Sequence, residues 1–449
     1  MRMPHFAENW TRSLPFCGSV ESKMSTRMSL GNPSEAKVRR LENGLTVVTK
    51  SMPNRVVTID VWVKAGSAYE NDEINGVSHF LEHMMFKGTE RYGVGELDKL
   101  ITSVGGVWNA ATSMDFTHYH VTVGAAFFDV ALDAISEMIQ RPTLDPKEFE
   151  KEREVILEEF RRKQDDPWGF LFDALYGVAY ASGPYRRTVL GTFESISNLK
   201  HSQLVDYYRR MYAPSNMSVL IVGDVHSDDA YSAVARSFEQ FQRAFEEPAL
   251  PESETRYNCG RRVTHPKDVS EVYLAIVLPA PSLERRRDVL AMDVAATILG
   301  EGRSSRLYRK LKHELQLVDT IWAGFPTHRF ESVFYVGATC DEARAERAVE
   351  EAISVIRGLR VSPPSEEELA KAKRVLRNEF CFGTETTTGQ SSMIGYYLTL
   401  TGGLEFYERY LAEVMSITRE DVVRCVTDYL LSEETVVSVT PKSGTHSVE

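Results

Sequence analysis

The chain has 449 residues, of which 43% are hydrophobic and 26% are charged, and its formal net charge is −12 at pH 7. This length favours at least two domains, while the acidic balance and the lack of a long apolar run argue against nucleic acid or membrane as a partner. Five widely spaced cysteines favour free thiols in a reducing compartment, so we expect a cytoplasmic location, with the mitochondrial matrix or the periplasm as alternatives.

The first ordered elements are expected after an N-terminal extension. Residues 1–35 carry few apolar clusters, and we expect them to be disordered. Leu41–Thr49 contains an Asn-Gly turn before a β-rich run, and Val56–Val63 alternates as a second strand. The apolar stretch Ser78–Thr89, which reads SHFLEHMMFKGT, predicts a helix.

The rest of the first half mixes strands and helices. Val107–Val123 predicts either a hairpin or one long bent strand, and Phe127–Arg141 predicts an amphipathic helix. Leu144–Gln164 is typical of a long helix, with a proline in its first turn and a dense set of glutamates. A buried strand is expected at Met217–Val222.

A Pro- and acid-rich segment, Glu246–Glu254, has the composition of a linker. After it the pattern of strands and helices restarts at Val272–Leu278 and closes with a strand at Thr435–Thr440, which indicates a weak internal duplication. We therefore predict an α+β fold of two similar tandem domains, each a mainly antiparallel sheet packed with helices. The predicted boundaries are a first domain at 36–245, a linker at 246–256 and a second domain at 257–449.

The motif with the most chemical content is H-x-x-E-H, formed by His79, Glu82 and His83. On an α-helix, residues four apart share a face, so both imidazoles can bind one metal ion with the glutamate beside it. Two imidazoles and a carboxylate from elsewhere are the ligands of a catalytic zinc, and the inserted glutamate can take a proton from water. The long helix offers candidates for the third ligand, among them Glu152 and Glu159, which share a face. The second half lacks the motif, so only the first domain can carry the metal.

The sequence around this motif, GVSHFLEHMMFKGT, resembles the pitrilysin/insulinase family of inverzincin metallopeptidases. It is most similar to the short-chain branch that includes the β subunit of mitochondrial processing peptidase and its bacterial relatives. The resemblance runs from about Leu41 to the C-terminus and is also carried, in order, by GGVWNAATSMDFTHYHV, EREVILEEF, VLGTFESI, MYAPSNMSVLIVGDV and LGEGRSSRLYRKL. It implies a zinc-dependent endopeptidase with one Zn²⁺ per chain that hydrolyses short or unfolded peptides.

The resemblance also implies roles for individual residues. His79, His83 and Glu159 are expected to bind zinc, with the motif glutamate as the general base, because Glu159 stands in EREVILEEF where the family has its third ligand. Glu158 is the rival for that ligand, although it faces about 100° away on the helix. Glu152 matches a second family glutamate and is expected to hydrogen-bond a ligand histidine.

Substrate is expected to bind by β-augmentation, in which an extended peptide adds to an edge strand. The family's substrate-binding strand is matched here by Asn109, Ala110, Ala111 and Thr112. His118 and His120 share one face of a strand but match no ligand position in the family. We therefore expect these two histidines to have structural roles.

One departure from the family concerns the second domain, where complete members supply an arginine and a tyrosine that hold the substrate carbonyl and the oxyanion. The matching positions here are Lys312 and Asp319. Lysine lacks the planar fork of arginine, and aspartate cannot donate a proton at neutral pH as a phenol does. In some bacterial relatives a partner supplies the missing pair, so we expect a heterodimer with a homologous subunit, with a homodimer as the alternative.

Two other functions are compatible with the same fold. One is a non-catalytic scaffold or assembly subunit, as occurs among relatives in respiratory complexes, and its best support is the departure at Lys312 and Asp319. The other is a peptide-binding module that retains zinc without turnover. Bound zinc and peptide cleavage that depends on Glu82 would separate the peptidase from both.

Overall fold

Two β-sheets, one from each half of the chain, organise the computed structural model, which describes residues 36–245 and 255–442. The strands of the first half are β1 (Lys37–Arg40), β2 (Thr46–Ser51), β3 (Val56–Val63), β4 (Val107–Thr112), β5 (Thr117–Gly124), β6 (Tyr180–Ser182) and β7 (Met217–Gly223). Its helices are α1 (Val77–Met85), α2 (Glu96–Ser103), α3 (Phe128–Gln140), α4 (Pro146–Asp165), α5 (Pro167–Ala179), α6 (Phe193–Asn198), α7 (His201–Met211) and α8 (Ser227–Phe238).

The second half repeats this mixture of elements. Its strands are β8 (Arg256–Tyr257), β9 (Arg262–Lys267), β10 (Val272–Ala280), β11 (Thr320–Gly324), β12 (Ser332–Cys340) and β13 (Thr435–Pro441). Its helices are α9 (Arg286–Gly300), a π-helix (Tyr308–Glu314), α10 (Glu342–Val361), α11 (Glu366–Gly383), α12 (Thr387–Thr401), α13 (Glu405–Ser416) and α14 (Arg419–Tyr429).

The two sheets have related topologies. The first has the strand order β1-β2-β7-β3-β5-β4, in which β2 and β7 are parallel and the other neighbours are antiparallel. The second has the order β11-β12-β10-β13-β9, in which β13 and β9 are parallel and the rest antiparallel. The predicted α+β fold with two similar, mainly antiparallel sheets is thereby confirmed.

Several predicted elements match the structure closely. Strand β3 covers the predicted range, and Val107–Val123 is a hairpin of β4 and β5 rather than one bent strand. The motif helix ends at Met85, so the last residues of the predicted stretch lie beyond it. Strand β9 was not predicted, because its sequence RVTHPK is polar and contains a proline. It forms at the sheet edge, where only one side needs a partner.

One helix from each half of the chain packs against the sheet of the other half. Helix α12 of the second half packs on β3 and β7 of the first sheet, and α5 of the first half packs on β10 and β13 of the second sheet. Val48, Trp62 and Leu220 of the first sheet therefore belong to the hydrophobic core of the second half. Both faces of the central strands are buried, which explains why β7 is buried at every residue and apolar except at Ser218.

The predicted domain boundaries remain a prediction. Residues 1–35, expected to be an extension, and most of the predicted linker, residues 246–254, lie outside the described residues. In the part of the chain that the structure describes, no helix combines the length and apolarity that crossing a membrane requires.

Candidate active site

Helix α1 carries the motif and is fixed at its N-terminus by a buried carboxylate. Gly76 precedes the helix with φ +94°, a conformation that glycine adopts without strain. Glu70 accepts hydrogen bonds from the backbone amides of Gly76 at 2.7 Å and Ser78 at 2.8 Å, and from the side-chain amide of Asn75 at 2.9 Å. These bonds satisfy amides that would otherwise lack partners at the helix start. Glu70 was not predicted as a site residue, because it lies in a loop without a capping pattern.

The structure brings the two motif histidines together with Glu159 of α4. Donor atoms of His79, His83 and Glu159 all lie within 4.8 Å of one another. The carboxylate oxygens of Glu159 lie 3.9 Å from Nε2 of His79 and 3.6 Å from Nε2 of His83. Helices α1 and α4 pack together, so the glutamate reaches the motif although it is distant in sequence. Two imidazoles and one carboxylate thus converge on one point.

Glu158, the rival for the third position, points elsewhere. Its side chain is 59% exposed and forms an ion pair with Arg161 at 3.1 Å. The side chain of Glu159 is only 26% exposed. The difference follows from the 100° rotation between adjacent helical residues, which turns one carboxylate toward α1 and the other toward solvent.

Glu152 contacts His83 at the ring nitrogen that does not face Glu159, and so lies just outside the convergent group of His79, His83 and Glu159. Its carboxylate is 2.9 Å from Nδ1 of His83 and 2.5 Å from Nζ of Lys87. Burial opposes ionisation of this carboxyl, but the hydrogen bonds from His83 and Lys87 prevail, and the pKa of Glu152 is lowered. Burial likewise works against a charged His83, yet the bond to Glu152 and the nearby carboxylates raise the pKa of His83. Lys87 was not predicted as a site residue, because it lies beyond the end of α1, where helical periodicity gives no information.

Glu82 lies in the same helix turn but outside the convergent group. Its side chain is buried, and the hydroxyl of Thr112 donates a hydrogen bond to it at 2.5 Å. Burial raises the pKa of Glu82, and the Thr112 bond only partly offsets that effect. A carboxyl with a raised pKa is a stronger base than an ordinary glutamate, and general acid–base catalysis requires a group that accepts a proton and returns it. The contact from Thr112 was missed in the sequence, because it joins residues from different elements.

The residues present fit a zinc ion. Burial, followed by the charges of His83 and Lys163, lowers the pKa of His79, so its imidazole is neutral, as a metal ligand must be. Within the described residues, Nδ1 of His79 is buried and has no hydrogen-bond partner. Its Nε2 is too far from Glu159 for a hydrogen bond. The Nε2 atoms of His79 and His83 face the Glu159 carboxylate, and together they offer a cation the nitrogen and oxygen ligands that zinc uses.

Strand β4, which holds Asn109, Ala110, Ala111 and Thr112, lies at the edge of the first sheet. It pairs with β5 on one side, so the backbone groups of its outer edge are not used by the sheet. Ala110 is buried and Thr112 contacts Glu82, so this face of the strand adjoins the motif helix. An extended peptide on the outer edge of β4 would therefore run beside the buried carboxylate.

Lys312 and Asp319 lie outside the convergent group. The Nζ of Lys312, in the π-helix, is 3.7 Å from a carboxylate oxygen of Asp319. Asp319 is also 3.9 Å from the guanidinium of Arg344. The two side chains are partly exposed and directed at each other, in a surface ion pair of small energetic value.

Comparisons with known proteins cover most of the chain. Residues 46–193 match the family described as "Insulinase (Peptidase family M16)", and residues 198–376 match "Peptidase M16 inactive domain". A protein named "Zinc protease PqqE" from Helicobacter pylori is 30% identical over 412 residues, 89% of this chain and 92% of that protein. An "Uncharacterized zinc protease" from Rickettsia felis is 28% identical over 408 residues, 90% and 97% of the two chains.

Solved structures show the same fold. The crystal structure of a protease from Helicobacter pylori has a TM-score of 0.85 and 28% identity, and it covers 90% of this chain and 99% of that one. A peptidase M16 inactive domain from Pseudomonas fluorescens has a TM-score of 0.83, covering 91% and 99% of the two chains. At 19% identity it supports the fold alone.

Proposed function

Because the chain belongs to the insulinase family of peptidases, peptidase family M16, we propose that it is a zinc-dependent endopeptidase acting on short or unfolded peptides. The observation that carries this proposal is the convergence of His79, His83 and Glu159 within 4.8 Å, with the buried Glu82 in the same helix turn as the two histidines. This donor set is one that catalytic zinc uses with an open position for substrate or water.

In the proposed mechanism, the protein's own groups position the reactants and move the proton. His79, His83 and Glu159 would hold one Zn²⁺ at this centre, and Glu152 would keep the His83 ring oriented through its Nδ1. The ion would supply Lewis acidity, which polarises the scissile carbonyl and makes a water more acidic. Glu82 would accept a proton from the attacking water and return it to the departing amine.

The edge strand would hold the substrate for this step. A peptide that adds to the outer side of β4 has its backbone fixed by main-chain hydrogen bonds, whatever its side chains are. The hydroxyl of Thr112 would hold one oxygen of Glu82, which leaves the other oxygen to face water. Selection would then depend on whether a peptide can become extended rather than on one side-chain pocket.

We also propose that the chain is the zinc-bearing subunit of a two-subunit peptidase, with a homologous partner that supplies the arginine and tyrosine. The supporting observation is that Lys312 and Asp319, which stand at those positions, form an ion pair with each other. A homodimer is the alternative arrangement. Full peptidase activity of the purified chain alone, saturated with zinc, would contradict this subunit proposal. The cytoplasmic location stays a prediction.

The experiment that tests the peptidase compares zinc content and cleavage of a quenched fluorescent peptide in three proteins. These are the natural chain, Glu82→Gln and the matched control Glu158→Gln, whose side chain faces solvent. We expect Glu82→Gln to keep its zinc and lose about 10²–10⁴-fold in cleavage rate, while Glu158→Gln stays unchanged. Absence of zinc, with no cleavage even beside a homologous partner, would contradict the proposal and favour the scaffold alternative.

A further inference from the structure

A second group of metal-ligating side chains lies outside the catalytic centre, where the two halves of the chain meet. His118 and His120 are two residues apart on β5, and Asp60 is on the neighbouring β3, directly opposite His120 in the strand register. Side chains two apart on a strand point to the same face, and so do directly opposed residues of paired strands. One sheet face thus presents an H-x-H pair and a carboxylate.

The distances within this group are short. Donor atoms of Asp60, His118 and His120 all lie within 4.8 Å of one another, the same limit that the catalytic ligands satisfy. Nδ1 of His118 is 3.0 Å from a carboxylate oxygen of Asp60, and the two imidazole planes are tilted by only 21° with centroids 5.6 Å apart. The ring of Trp62 stacks on His118 with centroids 4.3 Å apart, which restrains that ring.

Asp60 and His118 are buried and His120 is half-buried, and hydrogen bonds within the group do not satisfy all of its polar atoms. Asp60 is fully buried, and its second oxygen accepts a bond from the hydroxyl of Ser391 on α12, at 3.1 Å. The Asp60–His118 bond gives a partner to the first Asp60 oxygen and to Nδ1 of His118. It leaves Nδ1 of His120 buried without a hydrogen-bond partner among the described residues. A buried nitrogen without a partner is unfavourable, and the Asp60–His118 pair does not provide that partner, whereas a bound ligand could.

We propose that Asp60, His118 and His120 form a second divalent-cation site, suited to zinc and separate from the catalytic centre. Two imidazoles and a carboxylate are ligands that zinc prefers, and an H-x-H pair with a third ligand on a neighbouring strand can bind one ion without bending the backbone. A cation here would balance the buried charge of Asp60 and satisfy His120. This changes the role expected from the sequence, in which both histidines were structural.

The site would have a structural consequence. Ser391 belongs to α12, the helix of the second half that packs against the first sheet, and it contacts Asp60 directly. Thr387 on the same helix accepts a hydrogen bond from Thr58 of β3 at 2.8 Å. A cation held by Asp60 would therefore stiffen the contact between α12 and the first sheet.

The test measures zinc bound per chain by mass spectrometry of the full-length protein after removal of free metal. The variants are His120→Ala for the new site, His83→Ala for the catalytic centre and the double variant. His226→Ala, at an exposed histidine, is the control. We expect two zinc ions in the natural chain and the control, one in each single variant and none in the double variant. Circular dichroism checks that each variant is folded.

The outcomes separate this site from the proposed function. One zinc in the natural chain and in His120→Ala, with none in His83→Ala, would overturn the second site and leave the catalytic centre intact. One zinc in the natural chain and in His83→Ala, with none in His120→Ala, would support the second site and contradict the catalytic one.

If His120→Ala does not fold, Asp60→Asn provides an independent test. In the His83→Ala background, added zinc should raise the thermal unfolding temperature when Asp60 is present. It should have no effect in the His83→Ala, Asp60→Asn double variant. Equal responses of the two proteins to zinc would overturn the proposal.

Discussion

Replacement of Glu70 by glutamine should loosen the motif helix without removing a ligand. The carboxylate accepts three hydrogen bonds, with one oxygen shared by Asn75 and Gly76 and the other used by Ser78. An amide keeps one acceptor and places an NH₂ group against a backbone N–H. At least one buried donor of α1 then loses its partner, and the remaining bonds lose the help of a negative charge.

The magnitude follows from these contacts. A hydrogen bond to a charged group contributes about 1.5–3 kcal/mol, and a buried donor without a partner costs about 1–3 kcal/mol. We therefore expect Glu70→Gln to lower the free energy of unfolding by about 2–4 kcal/mol. Because Ser78 directly precedes His79, zinc affinity should fall as well, since the first ligand is no longer held in place.

The assay is urea unfolding followed by circular dichroism, together with zinc affinity measured by competition with a chelator. Glu73→Gln is the matched control, since Glu73 is exposed in the same loop and should change stability by no more than about 0.5 kcal/mol. If Glu70→Gln unfolds at the same urea concentration as Glu73→Gln, the Glu70 carboxylate does not fix the start of α1 and the prediction is wrong.

Three further predictions follow from other contacts. Glu152→Gln should lower zinc affinity by about 10–100-fold, because His83 loses the carboxylate that orients it; chelator competition measures this, and unchanged affinity would contradict it. Gly395→Ala should destabilise the protein by about 1–3 kcal/mol in thermal unfolding, because the added Cβ would overlap the ring of Trp62. Burial and the neighbouring carboxylate of Glu379 raise the pKa of Asp293 to about 8. Between pH 3.8 and pH 8 the folded protein therefore retains a proton on Asp293 that the unfolded chain releases. Stability should therefore fall as pH rises through this window, and Asp293→Asn should flatten the urea-midpoint profile between pH 5 and 8; a profile as steep as that of the natural chain would refute it.

The local parts of the fold and of the candidate site follow from the sequence by itself. Helical geometry puts His79 and His83 on one face wherever the helix lies, and the alternation of Val56–Val63 defines a strand without any knowledge of its neighbours. The sequence around the motif also resembled one family of metallopeptidases, and the comparisons confirm that family and the fold it implied. These features depend on backbone periods of a few residues, which the order of residues specifies directly.

Contacts between distant segments were decided only by the tertiary structure. The bond from Thr112 to Glu82 and the position of Glu70 at the start of α1 join residues that no local period relates. The exchange of α5 and α12 between the two sheets likewise left no periodic signal, because an apolar helix looks the same whichever sheet it covers. The meeting of Asp60 with His118 depends on how β3 and β5 pair in register, which packing of the whole sheet determines.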